Sequence, residues 1–147
     1  MEMQMEDNAL NTEQQVRDVA LLMMRICGDI HEALRKASSE RQHEGSALPY
    51  ALLTEEYALR SRANILIIEA GRLIRKDLKQ PQQAILDTLQ ASQVCIESAD
   101  SIEKLAELIN SLVLFSNSLM SKDGNVVSYL LAHLQQSAQL NGQFDIA

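Results

Sequence analysis

The sequence predicts an all-α protein, an up-and-down bundle of four to five helices. Three observations carry this expectation. The 147 residues include only five glycines and two prolines, so turns are few and the elements between them are long. Apolar residues recur at intervals of three and four over most of the chain, the period of a helix with one buried face. Aromatic residues make up 3% and tryptophan is absent, which leaves Leu, Ile, Met and Ala to build a core suited to helix packing.

Residues 1–11 are polar and are expected to form a flexible N-terminus, with Met1, Met3 and Met5 as an adaptable apolar tail. Thr12-Glu-Gln-Gln15 is a capping box, in which the Thr12 hydroxyl accepts from the Gln15 amide and Gln15 reaches back. A first helix is expected over 13–37. Its stripe is Val16, Val19/Ala20, Met23, Ile26/Cys27, Ile30, Ala33/Leu34 and Ala37. Leu21, Leu22 and Met24 lie off that stripe, so the helix must touch more than one neighbour. Residues 38–53, with Ser38-Ser39, Gly45-Ser46 and Pro49, read as the longest linker.

Thr54 is the expected cap of a second helix over 55–79, with Glu55 and Glu56 in its first turn. Leu59, Ala63, Leu66/Ile67, Ala70, Leu73/Ile74 and Leu78 make its stripe, and Gly71 suggests a close helix contact. Pro81 suits the start of a third helix. From Gln82 to Ser121 there is neither Gly nor Pro. Yet the face of Ile85, Leu89, Ser92, Ile96 and Ala99 is about half a turn out of phase with that of Leu105, Leu108/Ile109, Leu112, Phe115 and Leu119. A break is therefore expected at Ser98–Ser101, dividing helices over 82–98 and 101–121, with one continuous helix as the alternative. Asp100-Ser-Ile-Glu103 is a possible capping box there. Asp123-Gly124-Asn125 signals a turn before a last helix over 126–139. One bundle domain, 12–140, is thus followed by a tail, 141–147.

The net charge is −7, which argues against nucleic acid as a partner. Residues 54–79 are the exception, with six bases against four acids. Arg60, Arg62, Arg72, Arg75, Lys76 and Lys79 could line a basic strip. The plainer reading is that the last four close a helix, where cations complement the dipole. Cys27 and Cys95 both fall in apolar helical patterns and read as buried free thiols of a reducing compartment. The N-terminus is acidic where an export signal would be basic, and no apolar run approaches the ~20 residues of a membrane span. A cytoplasmic location without membrane contact is expected.

Little catalytic chemistry is legible. No Gly-x-Ser-x-Gly elbow, phosphate loop or inward pair of Glu-x-x-His motifs is present; the single match, Glu40-Arg-Gln-His43, falls in the linker. No catalytic residue, metal or other cofactor is expected. Cys27 and His31, four apart on one helix, provide two of the three or four ligands a metal needs. Ala132-His133-Leu134-Gln135-Gln136-Ser137 loosely resembles the histidine-phosphotransfer pattern, with Gln136 where that family has Lys and Ser137 where it has Gly. That resemblance implies a phosphoryl-accepting His133. The leading expectation is a non-enzymatic protein–protein interaction module, a regulator, adaptor or chaperone-like bundle that binds a protein partner or itself as a homodimer. The surplus apolar residues Leu21, Leu22 and Met24, with Leu105, Leu108, Leu112, Phe115 and Leu119 beyond the phase break, are its candidate surface. The alternative is a phosphotransfer-like or metal-binding module centred on His133 or on Cys27/His31.

Overall fold

A computed structural model describes residues 8–39 and 48–142. Over these residues the chain forms helices α1 (Glu13–Ser39), α2 (Leu48–Ile68), α3 (Gln82–Ser98), α4 (Ile102–Ser118) and α5 (Gly124–Gly142), with a 3-10 turn at Ala70–Leu73. The all-α bundle is borne out, and no strand pairs with another among the described residues beyond one isolated bridge, Asn8 with Pro81.

The capping box forms as expected. Gln15 N donates to Thr12 Oγ1 at 3.1 Å, and the Gln15 side chain accepts from Thr12 N at 3.1 Å. From there α1 buries Val16, Val19, Ala20, Met23, Ile26, Cys27, Ile30 and Leu34. The residues 38–53 expected as a linker are helical at both ends; 40–47, which include Glu40–His43 and Gly45-Ser46, lie outside the described residues.

The second helix is displaced from its expected range at both ends. It begins at Leu48, with Pro49 in a first turn that needs no amide donor there. Thr54 is an interior residue whose hydroxyl donates to Tyr50 O at 3.3 Å, not a cap. The helix ends at Ile68 instead of running to 79, and the chain tightens into the 3-10 turn before a non-helical connector over 74–81 that bends at 76–77 and 80. The connector is held instead by Asn8–Asn11: Ala9 N donates to Gln80 O at 2.8 Å and Arg75 N to Leu10 O at 2.6 Å.

Asn8–Asn11 is therefore a strap across one end of the bundle, which corrects the expectation of a flexible stretch over 1–11 for these four residues. Ala9 and Leu10 are buried in the core. Leu10 N donates to Gln82 Oε1 at 3.0 Å, and Lys76 Nζ donates to Asn11 Oδ1 at 2.9 Å. Met1, Met3 and Met5 lie outside the described residues.

The phase break is real. Ala99 and Ser101 are extended, and Ser101 Oγ accepts from Lys104 N at 3.1 Å, so the cap sits one residue later than the box expected at Asp100. The last helix is longer than expected, from Gly124 through Asn141-Gly142, with Asn125 N donating to Asp123 Oδ1 at 2.9 Å before its first turn.

Each helix packs mainly against two others, closing a ring in the order α1, α2, α4, α5, α3. Consecutive α3 and α4 are scarcely in contact. One core fills the ring, with Met23, Ile26, Ile30, Leu59, Leu66, Ile85, Leu89, Ile96, Leu108 and Phe115 among its fully buried side chains. No helix among the described residues is long and apolar enough to cross a membrane.

Candidate functional site

The apolar surplus expected at the phase break is absorbed by the ring. Leu22, Leu105, Leu108, Leu112, Phe115 and Leu119 are all buried, and Met24 is half-buried against the core. Of the eight candidate surface residues, Leu21 remains exposed, with Asp18 and Arg25 one turn away. The half-turn phase shift directs α3 toward α1 and α5, and α4 toward α2 and α5, so both faces find partners inside the molecule. That geometry removes these side chains as a docking surface in the folded chain.

Cys27 and His31 do not converge. Cys27 is fully buried, whereas His31 is exposed. Burial pushes the Cys27 thiol up to about 12; the nearby Glu56 carboxylate pushes the same way and Arg60 opposes it. Such a thiol is a poor ligand and a poor nucleophile. Cys95 is also buried, and its Sγ donates to Ala138 O at 3.1 Å. No group of three or more His, Cys, Asp or Glu side chains that could hold a metal occurs among the described residues.

His133 lies on the exposed side of α5, over a shallow groove of about 450 Å³ between α4 and α5. Its Nδ1 is 3.2 Å from Ser111 Oγ, which is 2.9 Å from Ser137 Oγ. The spacing of one helical turn places Ser137 beside His133, and Glu107 beside Ser111. A serine next to an imidazole is the start of nucleophilic chemistry. Here, however, Ser111 is buried, and it sits in the interior of α4, where backbone amides are engaged within the helix. An oxyanion would find no backbone donors in such a place.

The basic strip is largely occupied. Glu56, itself buried, accepts from Arg60 Nε at 3.0 Å and from a second guanidinium nitrogen. Arg72 pairs with Glu69 at 3.5 Å, and Arg75 grips Asp77 through two bonds of 2.9 and 2.7 Å. Lys76 is tied to the strap. Arg60 is interior to α2, whereas Arg72, Arg75 and Lys76 lie beyond its end, in the 3-10 turn and the connector 74–81, and so do not close that helix.

A second cavity, of about 440 Å³, opens between α1, α3 and α4 over Ile96, Ile102 and Leu105. Three of its carboxylates are already engaged: Asp29 by Gln93, Glu32 by Arg35 and Asp100 by Lys104.

The feature that sequence reasoning missed is the outer face of α2. The inner face of this helix buries Leu52, Glu56, Leu59, Ala63 and Leu66. Opposite them, Tyr50, Tyr57 and Ile68 are 76%, 68% and 77% exposed, and Ile65 is 39% exposed. Thr54, Ser61 and Asn64 complete the stripe, which carries no charged residue over its length. At 1.5 Å per residue, Tyr50 to Ile68 spans about 27 Å. Its signal was present in the spacing: 50, 54, 57, 61, 64 and 68 alternate steps of four and three, a heptad seam. Placing the helix start at 55 hid the first two positions.

Comparison with known proteins finds no matching family model, no matching curated protein and no matching solved structure.

Proposed function

We propose that this protein is a non-enzymatic interaction module that binds another protein through the outer face of α2. One observation carries the reading: the solvent-facing stripe of α2 carries no charge and presents Tyr50, Tyr57 and Ile68 as large exposed side chains. Large apolar and aromatic side chains gathered on one exposed face, unlike scattered single residues, mark a binding site. Tyrosines add area at little entropic cost and are enriched at interfaces. The core does not need this stripe, so its composition calls for a use beyond folding.

The test compares the wild type with the double variant Tyr57→Glu, Ile68→Glu, both recovered from the native cell and both checked for an unchanged melting temperature. The expected outcome is a protein, or a second copy of the chain, that accompanies the wild type and is lost from the variant. Identical company for both forms would refute the reading.

A second reading rests on His133. Its Nδ1 is engaged with Ser111, which leaves Nε2 as the ring nitrogen available for phosphoryl transfer. Gln136 in place of a lysine counts against it. A phosphotransfer assay with His133→Gln decides the matter, since phosphate uptake by the wild type that the variant lacks is required.

A further inference from the structure

We infer that the strap Asn8–Asn11 is a releasable latch: it leaves the bundle as a unit while the helices stay packed, and it bares the apolar slot that Ala9 and Leu10 fill. Two observations meet at one junction. Leu10 sits at a φ of 56° and is the one non-glycine residue with a positive φ among the described residues. A bulky side chain in the left-handed region is strained, and such strain persists only where the surroundings enforce it; it gathers at clamps and switches. The second observation lies across the bond from Ala9 N to Gln80 O. Gln80 Oε1 is the one buried side-chain polar atom without a hydrogen-bond partner among the described residues, although its Nε2 donates to Ser128 Oγ. Leaving a buried acceptor unpaired is costly. Release relieves both, since Leu10 leaves the left-handed region and the side of Gln80 opens to water.

The hydrogen bonds divide at Thr12, which makes the strap a separable unit. Asn8–Asn11 is tied to the connector and to α3 through Ala9 N, Leu10 N, Leu10 O and the Asn11 side chain. Its neighbours keep their own bonds without it. Thr12 caps α1 by accepting from Gln15 N, and Gln82 Nε2 donates to Gln15 O at 3.0 Å, joining α3 to α1. Arg75 anchors the connector through Asp77 and through Leu119 O at 3.4 Å. The first turn of α3 is closed by Ala84 N donating to Pro81 O at 3.1 Å. Burial of Ala9 and Leu10 opposes release, so the closed latch is the major state and the open one a minor state of the same fold.

Amide hydrogen exchange of the purified full chain, read by NMR, tests the latch. The Ala9 and Arg75 amides, each bonded between strap and connector, are expected to be protected yet to exchange at least about 100-fold faster than those of Ile26 and Leu89 in the core, which wait for global unfolding. A mild core variant separates the two openings. Ile96→Val, about 21 Å along α3 from Gln82, is expected to speed Ile26 and Leu89 about fivefold and to leave Ala9 and Arg75 unchanged. The strain at Leu10 has its own readout. Leu10→Ala and Leu10→Gly both lose the side chain, but glycine is at ease at this φ. Ala9 and Arg75 are expected to exchange about threefold more slowly in the glycine variant, the reverse of the usual order of these two residues. Strap amides as slow as the core, or accelerated along with it by Ile96→Val, would mean a strap that opens only on unfolding and would overturn the inference. Strap amides with no protection would overturn it as a strap that never docks. An alanine variant as slow as the glycine variant, or slower, would overturn it by showing no strain to release.

Discussion

At Gly124 and Gly71 the same residue type does opposite work. A Cβ on Gly124 would lie 2.8 Å from Asp77 Oδ2 and 3.0 Å from Asp77 O, so a side chain on the first residue of α5 would force Asp77 and the connector to shift. At Gly71 a Cβ would meet Glu13 Oε1 at 3.7 Å, an ordinary contact. The sequence singled out Gly71 as a close approach and passed over Gly124 as a turn, because the crowding comes from a residue 47 positions away. Gly124→Ala is therefore expected to lower stability in denaturant titration by about 1–3 kcal/mol. Gly71→Ala should be neutral or stabilise by up to about 1 kcal/mol. Cys27 sets a pH dependence. Its thiol keeps its proton in the folded chain up to about 12, against 9.0 for an ordinary thiol. Between those values the unfolded chain releases a proton that the folded chain retains, so stability falls as pH rises through this window. Removing the thiol by Cys27→Ala should flatten that fall. Both native cysteines should stay unreactive toward a thiol reagent until the protein unfolds.

Among the elements, those with local causes were legible and those with distant causes were not. The box at Thr12 and the break after Ser98 follow from neighbouring residues and from a phase shift within one stretch of chain. The path of the chain after α2 depends on Asn8–Asn11, more than 60 residues before the connector, whose Ala9 and Leu10 bond to Gln80 and Arg75. The start of α2 was obscured because Pro49 serves equally as a loop signal and as a residue of a first helical turn, and Thr54 equally as a cap and as an interior residue. The strap makes its own prediction: Leu10→Ala should cost about 2–5 kcal/mol, as for a fully buried leucine, where a flexible terminus would cost nothing. Ser101→Ala should cost about 1 kcal/mol by removing the cap of α4. The connector adds an acid-sensitive link. Hydrogen bonding from Arg75, aided by the Gly124 amide, holds Asp77 below its ordinary value of 3.8. The stability it contributes is present above that value and is lost as pH falls below it. Asp77→Asn should make the acid limb of the stability profile shallower.

For the whole molecule, the helical class was plain in the sequence, but the ring order was not. Periodicity identifies which side of each helix is buried and leaves open which neighbour covers it. That is why Leu105, Leu108, Leu112, Phe115 and Leu119 looked like a surplus: the out-of-phase faces of α3 and α4 had no partner until the ring supplied α2 and α5. The true surplus lies on α2, where a second seam faces solvent behind a complete buried face. In a protein of net charge −7 this stripe is free of charge although Glu55, Glu56, Arg60 and Arg62 stand elsewhere on the same helix. The most direct measurement is photo-crosslinking in the native cell, with the reactive group placed at Tyr57 on the seam and, as a control, at exposed Arg25 on α1. Covalent protein adducts from Tyr57 and none from Arg25 are predicted. An absence of adducts at Tyr57, or equal labelling from the two sites, would contradict a docking role for the outer face of α2.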